Sequence, residues 1–254
     1  MTGATAWTIT VCHHKALVNA MLQAAGLPIP RWLVPKGHKV PRDFPLPAIV
    51  KPASEDASNG IEQASVAATR AALEGRVAWL SETYDEVLVQ EYIDGREFAV
   101  GFVGDTTLPV SEIDFSQMPE GSWRILSYAA KWERGCTEDR GSRPVCPARV
   151  EKDLERKLVT MAQAAWRAMG GSGYGRVDLR VDGQGRPWIL EVNPNPDLSD
   201  DAGLSAMAHA RGWSYPELVL RIAELARSAA QRTRSVERLA AEQSGRRTAG
   251  LTSE

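Results

Sequence analysis

Apolar positions near the start of the chain recur at helical spacing. Leu17, Val18, Met21, Leu22 and Ala25 form one stripe on a helix beginning at Lys15, and Gly26 followed by Pro28 ends it. The pattern then shortens. Leu46 to Val50 is an apolar run of strand length before Lys51-Pro52, and Ser54 to Gly60 is a loop of small polar residues. Val66 to Leu80 reads as a helix. Val87 to Ile93 reads as a strand, turned by Asp94-Gly95 and answered by Glu97 to Val103, and a third strand covers Leu108 to Asp114. The strongest stripe comes later, in Leu154, Leu158, Met161, Ala162, Ala165, Trp166 and Met169, closed by Gly170-Gly171. Two strands follow, 175–181 and 187–193, joined by Asp182-Gly183-Gln184-Gly185-Arg186, and a last helix runs from Tyr215 to Ala230. Residues 115–149 carry no such period, and a stretch that long is a functional loop or a disordered one. The tail from Gln231 reads as a frayed helix or disorder. Strands and helices mix without regular βαβ alternation, so the fold class predicted is α+β.

Composition narrows the function classes. The chain has 254 residues, enough for one large domain or two modest lobes. A formal net charge of −2 gives no electrostatic case for nucleic acid or an anionic membrane. No apolar run approaches the roughly 18 residues a membrane span needs. The N-terminal stretch lacks the charged-then-apolar pattern of a signal peptide. Cys12, Cys136 and Cys146 have no CxxC spacing, which argues against a disulfide framework or structural zinc. A cytoplasmic protein is expected.

The candidate chemistry lies in the last hairpin. In Arg176-Val177-Asp178-Leu179-Arg180-Val181 charged and apolar residues alternate, and in the next strand Glu191 and Asn193 share one face. A turn centred between Gln184 and Gly185 makes paired residue numbers sum to 369. Asp178 then opposes Glu191, and Arg176 opposes Asn193, with directly opposed Cβ atoms about 5 Å apart. Two carboxylates that close repel each other unless a cation intervenes. With the Asn193 side-chain oxygen they form a hard-oxygen donor set suited to Mg²⁺. A solvated polar hairpin face is the plainer explanation, but the rigid exit Asn193-Pro194-Asn195-Pro196 weighs against it.

Lys51 ends a strand before the small-residue loop 54–60, where backbone N–H groups and the ammonium could meet phosphate. Surface lysine plus turn explains the same residues. Val87 to Ile93 could bind adenine through strand-end backbone groups or serve only as a core strand, and Lys131 is equally open. His13-His14 has no third ligand placed nearby.

In chain order these pieces resemble the D-alanine–D-alanine ligase branch of the ATP-grasp superfamily. The matching stretches are His14-Lys15 with Ala24-Ala25-Gly26-Leu27-Pro28, Ile49-Val50-Lys51-Pro52-Ala53, Ser58-Asn59-Gly60, Val87 to Phe98, Ala130-Lys131-Trp132, Gly175-Arg176-Val177-Asp178, and Leu190-Glu191-Val192-Asn193-Pro194. The resemblance implies two α+β lobes, each an antiparallel sheet with packed helices, gripping ATP between them. It places a lead-in at 1–14, a small lobe at 15–90, a large lobe at 91–228 and a tail at 229–254. It implies Lys15 and Lys51 on the phosphates, Ser58 in a loop over them, and Gln90, Glu91, Tyr92 and Ile93 framing adenine. Glu97 would meet the ribose and Lys131 the phosphates. Asp178, Glu191 and Asn193 would hold Mg²⁺, two ions in this family. Arg176 and Lys131 would be catalytic, Arg176 stabilising charge on a reacting carboxyl group. The implied reaction forms an amide through an acyl phosphate on an amino-acid or peptide substrate.

Three departures qualify the resemblance. The chain begins where the family's segment after an additional N-terminal domain begins, so a homodimer or a partner chain supplying that surface is expected. Asp197 stands where the family has a glycine near a substrate carboxylate, and Ala202 where it has a carboxylate-binding serine. Trp132 follows Lys131 where tyrosine is common. D-Ala–D-Ala is therefore not the expected product, and a substrate with a positive group is. A non-ligating ATP-binding regulatory or partner-dependent subunit is the competing class. A structural Ca²⁺ site or plain surface feature is a third, against which Lys15 and Lys51 count.

Overall fold

The computed structural model describes residues 2–227; the expected tail, 229–254, and the end of the last predicted helix lie outside the described residues. Two antiparallel sheets organise the chain. Strands β1 (Trp32–Leu33), β2 (Ala48–Pro52), β3 (Val66–Ala67) and β4 (Val87–Glu91) form the smaller, in the order β1-β4-β2-β3. The larger contains β5 (Gly95–Val103), β6 (Thr106–Thr107), β7 (Ser111–Asp114), β8 (Arg143–Val145), β9 (Tyr174–Asp182) and β10 (Pro187–Asn193). Its order is β10-β9-β5-β7-β8, with β6 paired to β5.

In the small sheet the period-2 alternation divides two jobs. Ala48, Val50, Val87 and Val89 face a helix, α3 (Arg70–Ser81), and pack against its Leu73, Val77 and Leu80. The alternate positions Ile49, Lys51 and Gln90 face a cleft. Val66-Ala67 pairs with Ile49 and Ala48 as a strand instead of opening the helix, because α3 starts only after the Thr69 cap, whose hydroxyl accepts from Ala72 N at 3.3 Å.

The large sheet divides likewise. Phe98, Val100 and Phe102 on β5, Val177, Leu179 and Val181 on β9, and Ile189 and Val192 on β10 form one core face. It is covered by Leu158, Ala162, Ala165, Trp166 and Met169 of α6 (Lys152–Ala168) and the residue that ends it. Gly170, at φ +66°, terminates α6, and its successor Gly171 bonds back to Trp166 O. Trp166 lies parallel to Phe102, centroids 5.5 Å apart, in a slot that glycines keep open: a Cβ on Gly171 or Gly175 would come within 2.1 or 2.2 Å of its ring.

Helix α1 (Ala6–His13) was not legible from the sequence, and α2 (Lys15–Ala24) follows it directly. Val11, Cys12, Val18 and Leu22 enter the core of the large sheet, so α2 packs there although the sequence grouping runs it with the small sheet. The stretch 115–149 is built: it holds short helices α4 (Tyr128–Trp132) and α5 (Thr137–Gly141) and strand β8, which pairs with β7. The strand expected over 108–114 is confined to β7, and the short β6 precedes it. Helix α7 (Gly203–Ala210) packs Leu204 and Met207 over Gly101, where any Cβ would lie 2.8 Å from both. Residues 215–227 are helical, as expected.

Candidate active site

The polar face of the large sheet is not solvated. Arg176, Asp178 and Arg180 alternate along β9 against Glu97 and Ala99 of β5. Arg180 is 3% exposed, and it donates to Glu97 Oε2 and to Ile93 O, each at 2.8 Å, as well as to Arg124 O. It also lies over the rings of Tyr92 and Phe115. Its place in the Arg176-Asp178-Arg180 alternation was the available sequence signal.

The hairpin joins its strands in a way that strict alternation does not predict. Asp182 accepts from the N–H groups of Gln184 and Arg186 and from Trp188 Nε1, and Gly185 takes φ +74°. This closes the loop between Asp182 and Arg186, so pairs near the turn sum to 368 and not to the expected 369: Val181 opposes Pro187 and Leu179 opposes Ile189. A bulge at Leu190 then adds one residue, and beyond it Asp178 opposes Glu191 and Arg176 opposes Asn193, as expected. The bulge lets Ile189 and Val192, three residues apart, both enter the core while Leu190 lines the cleft.

That cleft, about 670 Å³, lies between the sheets, and every residue expected to meet ATP, metal or the reacting groups lines it. Lys15, Lys51, Ser58, Gln90, Glu91, Tyr92, Ile93 and Glu97 come from the first half of the chain. Lys131, Arg176, Asp178, Glu191 and Asn193 come from the second. Burial tends to raise the Glu191 pKa, but Lys15, Lys131, Arg176 and Lys51 overcome it and hold the carboxyl below its usual range. Burial pushes the Lys51 ammonium down to about 8, with Glu191 pulling the other way. Lys51 Nζ donates to Gln90 Oε1 at 2.7 Å, and Gln90 Nε2 is buried without a hydrogen-bond partner among the described residues. An unpaired buried donor costs about 1–3 kcal/mol. Arg176 forks onto Asp178 at 2.7 and 2.9 Å, which favours its charged form. Asn193 Oδ1 accepts from Asn195 N.

The loop 54–60 is docked, not open. Ala57 and Ser58 sit consecutively at φ +56° and +64°, a conformation side chains disfavour. Ser58 Oγ donates to Leu126 O at 2.7 Å, and Trp132 Nε1 donates to Ala57 O at 3.0 Å. Lys15 Nζ donates to Glu55 O. Sequence reasoning missed the apolar walls Ile49, Ile125 and Leu190. His13 and His14 face Asp56 and Glu86 separately. Among the described residues no three of His, Cys, Asp or Glu cluster as a metal cage. Two facing carboxylates nevertheless suit a Mg²⁺ that brings the rest of its oxygen shell from phosphate and water.

The family model described as "D-ala D-ala ligase C-terminus" matches residues 21–224. The chain belongs to the D-Ala–D-Ala ligase family. It is 33% identical over 212 residues to a D-alanine–D-alanine ligase of Chromohalobacter salexigens, covering 82% of this chain and 63% of that protein. A D-alanine–D-alanine ligase of Dechloromonas aromatica is 31% identical over 229 residues, 89% of this chain and 71% of its own length. Among solved structures, the Bacillus anthracis D-alanine–D-alanine ligase complexed with ATP superposes with a TM-score of 0.73 at 21% identity, covering 91% of this chain and 72% of that one. VanG D-Ala:D-Ser ligase from Enterococcus faecalis gives 0.73 at 22% identity, over 88% and 64%. The architecture is the ATP-grasp fold of these ligases.

Proposed function

We propose that this chain is an ATP-dependent, ADP-forming carboxylate–amine ligase that works through an acyl phosphate on an amino-acid or peptide substrate other than the precursors of D-Ala–D-Ala. The observation carrying the reading is the convergence of Lys15, Lys51, Lys131 and Arg176 with Asp178 and Glu191 in one cleft. Four cations converging on Glu191 suit a polyanion that arrives there with a divalent metal. Family membership and the ATP named in the Bacillus anthracis complex support ATP as that polyanion. Lys15, Lys51 and Lys131 hold the phosphates, and Gln90, Glu91, Tyr92 and Ile93 frame the base, with Glu97 beside the ribose. Asp178, Glu191 and Asn193 would hold Mg²⁺, which neutralises the phosphoryl group in transfer. Arg176 orients the reacting carboxylate and stabilises charge as its oxygen takes the γ-phosphate; an amine then displaces phosphate to give the amide.

Two positions of the chain argue for a substrate other than D-alanine. Asp197 is ionised, its Oδ1 accepting from Ser199 N and Oγ at 2.8 and 2.7 Å, and it lines the cleft near the start of α7. Ala202 caps that helix without a side-chain hydrogen bond. A carboxylate at this end would meet Asp197 and find no hydroxyl, whereas a cationic group would be welcomed. The test is ADP release and product mass with a panel of amino acids. Product from a cationic amino acid with none from D-alanine is expected. Efficient D-alanyl-D-alanine synthesis would remove the substrate reading, and Mg-ATP binding without turnover on any pair would favour the non-ligating subunit.

A further inference from the structure

Lys51 and Gln90 project from neighbouring strands onto the same face of the small sheet, where Ile49 opposes Gln90 and Lys51 opposes Leu88. Lys51 Nζ donates to Gln90 Oε1 at 2.7 Å. An ammonium has donors and no acceptor, so the amide has to present its oxygen to Lys51 and its NH₂ the other way. The orientation follows from the chemistry of the pair and does not depend on how the amide atoms are assigned. Gln90 is 1% exposed, lines the cleft, and has no partner for Nε2 among the described residues. Ile49, Tyr92, Ile93 and Leu190 line the same cleft and offer apolar wall area for a flat ring. At least one nearby acceptor is already engaged, since Ile93 O takes Arg180 Nη1.

A donor-only group beside a purine ring discriminates between bases. Adenine offers an acceptor at N7 next to a 6-amino donor, while 6-oxo purines offer acceptors at both N7 and O6. We propose that Gln90 is the base-selecting residue of the cleft and that its amide donor makes the site accept 6-oxo purine triphosphates alongside ATP. This rests on the reading of the cleft as a triphosphate site. The amide gains a hydrogen bond from O6 that a 6-amino group cannot give, and Lys51 holds it from rotating to offer its oxygen.

Inosine triphosphate carries the 6-oxo group with its accompanying N1–H and lacks the additional 2-amino group of guanine, and the Gln90 variants tie any change in preference to the amide. Calorimetric titrations of Mg-ATP and Mg-ITP into the full chain, and into Gln90→Glu and Gln90→Met, test the proposal. ITP is expected within about tenfold of ATP for the unaltered chain, and Gln90→Glu is expected to move the ATP-to-ITP affinity ratio roughly tenfold or more towards ATP. Gln90→Met, which keeps the bulk and has no donor, is expected to weaken ITP more than ATP and serves if the glutamate variant misfolds. ATP binding with ITP weaker by more than tenfold, or a ratio that neither variant moves, overturns the proposal alone. Failure of the unaltered chain to bind either triphosphate overturns the site reading with it.

Discussion

At the residue scale the cleft is a balance of charge under burial. Lys51 has the ammonium's pKa drawn down to about 8 by burial, with Lys15 and Arg180 acting in the same direction. A triphosphate binds the charged form. As pH rises through about 8 the unliganded site loses that charge, so affinity falls with rising pH; titration calorimetry across the range checks this, and Lys51→Ala is expected to abolish the step along with most of the affinity. Glu191 answers four cations. Glu191→Gln removes one negative charge and a metal donor, so Mg²⁺ is expected no longer to improve triphosphate binding, while metal-free binding is retained or tightened; binding with and without EDTA reads both. Lys51 gained its role only through the family resemblance, whereas Glu191 was legible because polar side chains interrupt an apolar alternation in its hairpin, so its face followed from its neighbours. Arg180 was not, because a buried arginine is defined by partners such as Ile93 O and Arg124 O that lie far away in sequence.

Elements were legible where one period ran long enough, as in α6, and lost where elements are short. Strands of two residues, such as β1 and β3, and helices of five, such as α4 and α5, present less than one repeat of their pattern. The bulge at Leu190 is the instructive case. The expected pairing of Asp178 with Glu191 holds because two departures cancel, a loop centred on Gln184 and one inserted residue. A one-residue slip without the bulge would have turned the carboxylate face inwards. The docking of this hairpin on α6 depends on Gly175, so Gly175→Ala is expected to destabilise the fold by about 1–3 kcal/mol through collision with Trp166, read as a lower denaturation midpoint in urea with a changed tryptophan emission.

For the whole molecule, what matters is how the two sheets are held around the cleft. The loop after β2 and the segment carrying α4 close on each other through Ser58 Oγ to Leu126 O, Trp132 Nε1 to Ala57 O, and Tyr128 N to Ile61 O. The first two can be removed by side-chain substitution. Ser58→Ala combined with Trp132→Phe is expected to raise the triphosphate dissociation rate roughly tenfold with little change in association, measured by stopped-flow displacement. Such long-range contacts have no signature in the sequence, which is why 115–149 read as irregular.

The four cations gathered around Glu191 also govern how the purified protein behaves on the bench. Lys15, Lys51, Lys131 and Arg176 come from four separate segments and converge on the one carboxylate of Glu191. Any multivalent oxyanion in the solution acts as a stand-in ligand and stabilises the native state in proportion to its occupancy. Melting temperatures recorded in phosphate or pyrophosphate will therefore exceed those in Tris chloride at matched ionic strength, and a comparison of variants is meaningful only when the buffer salt is held constant.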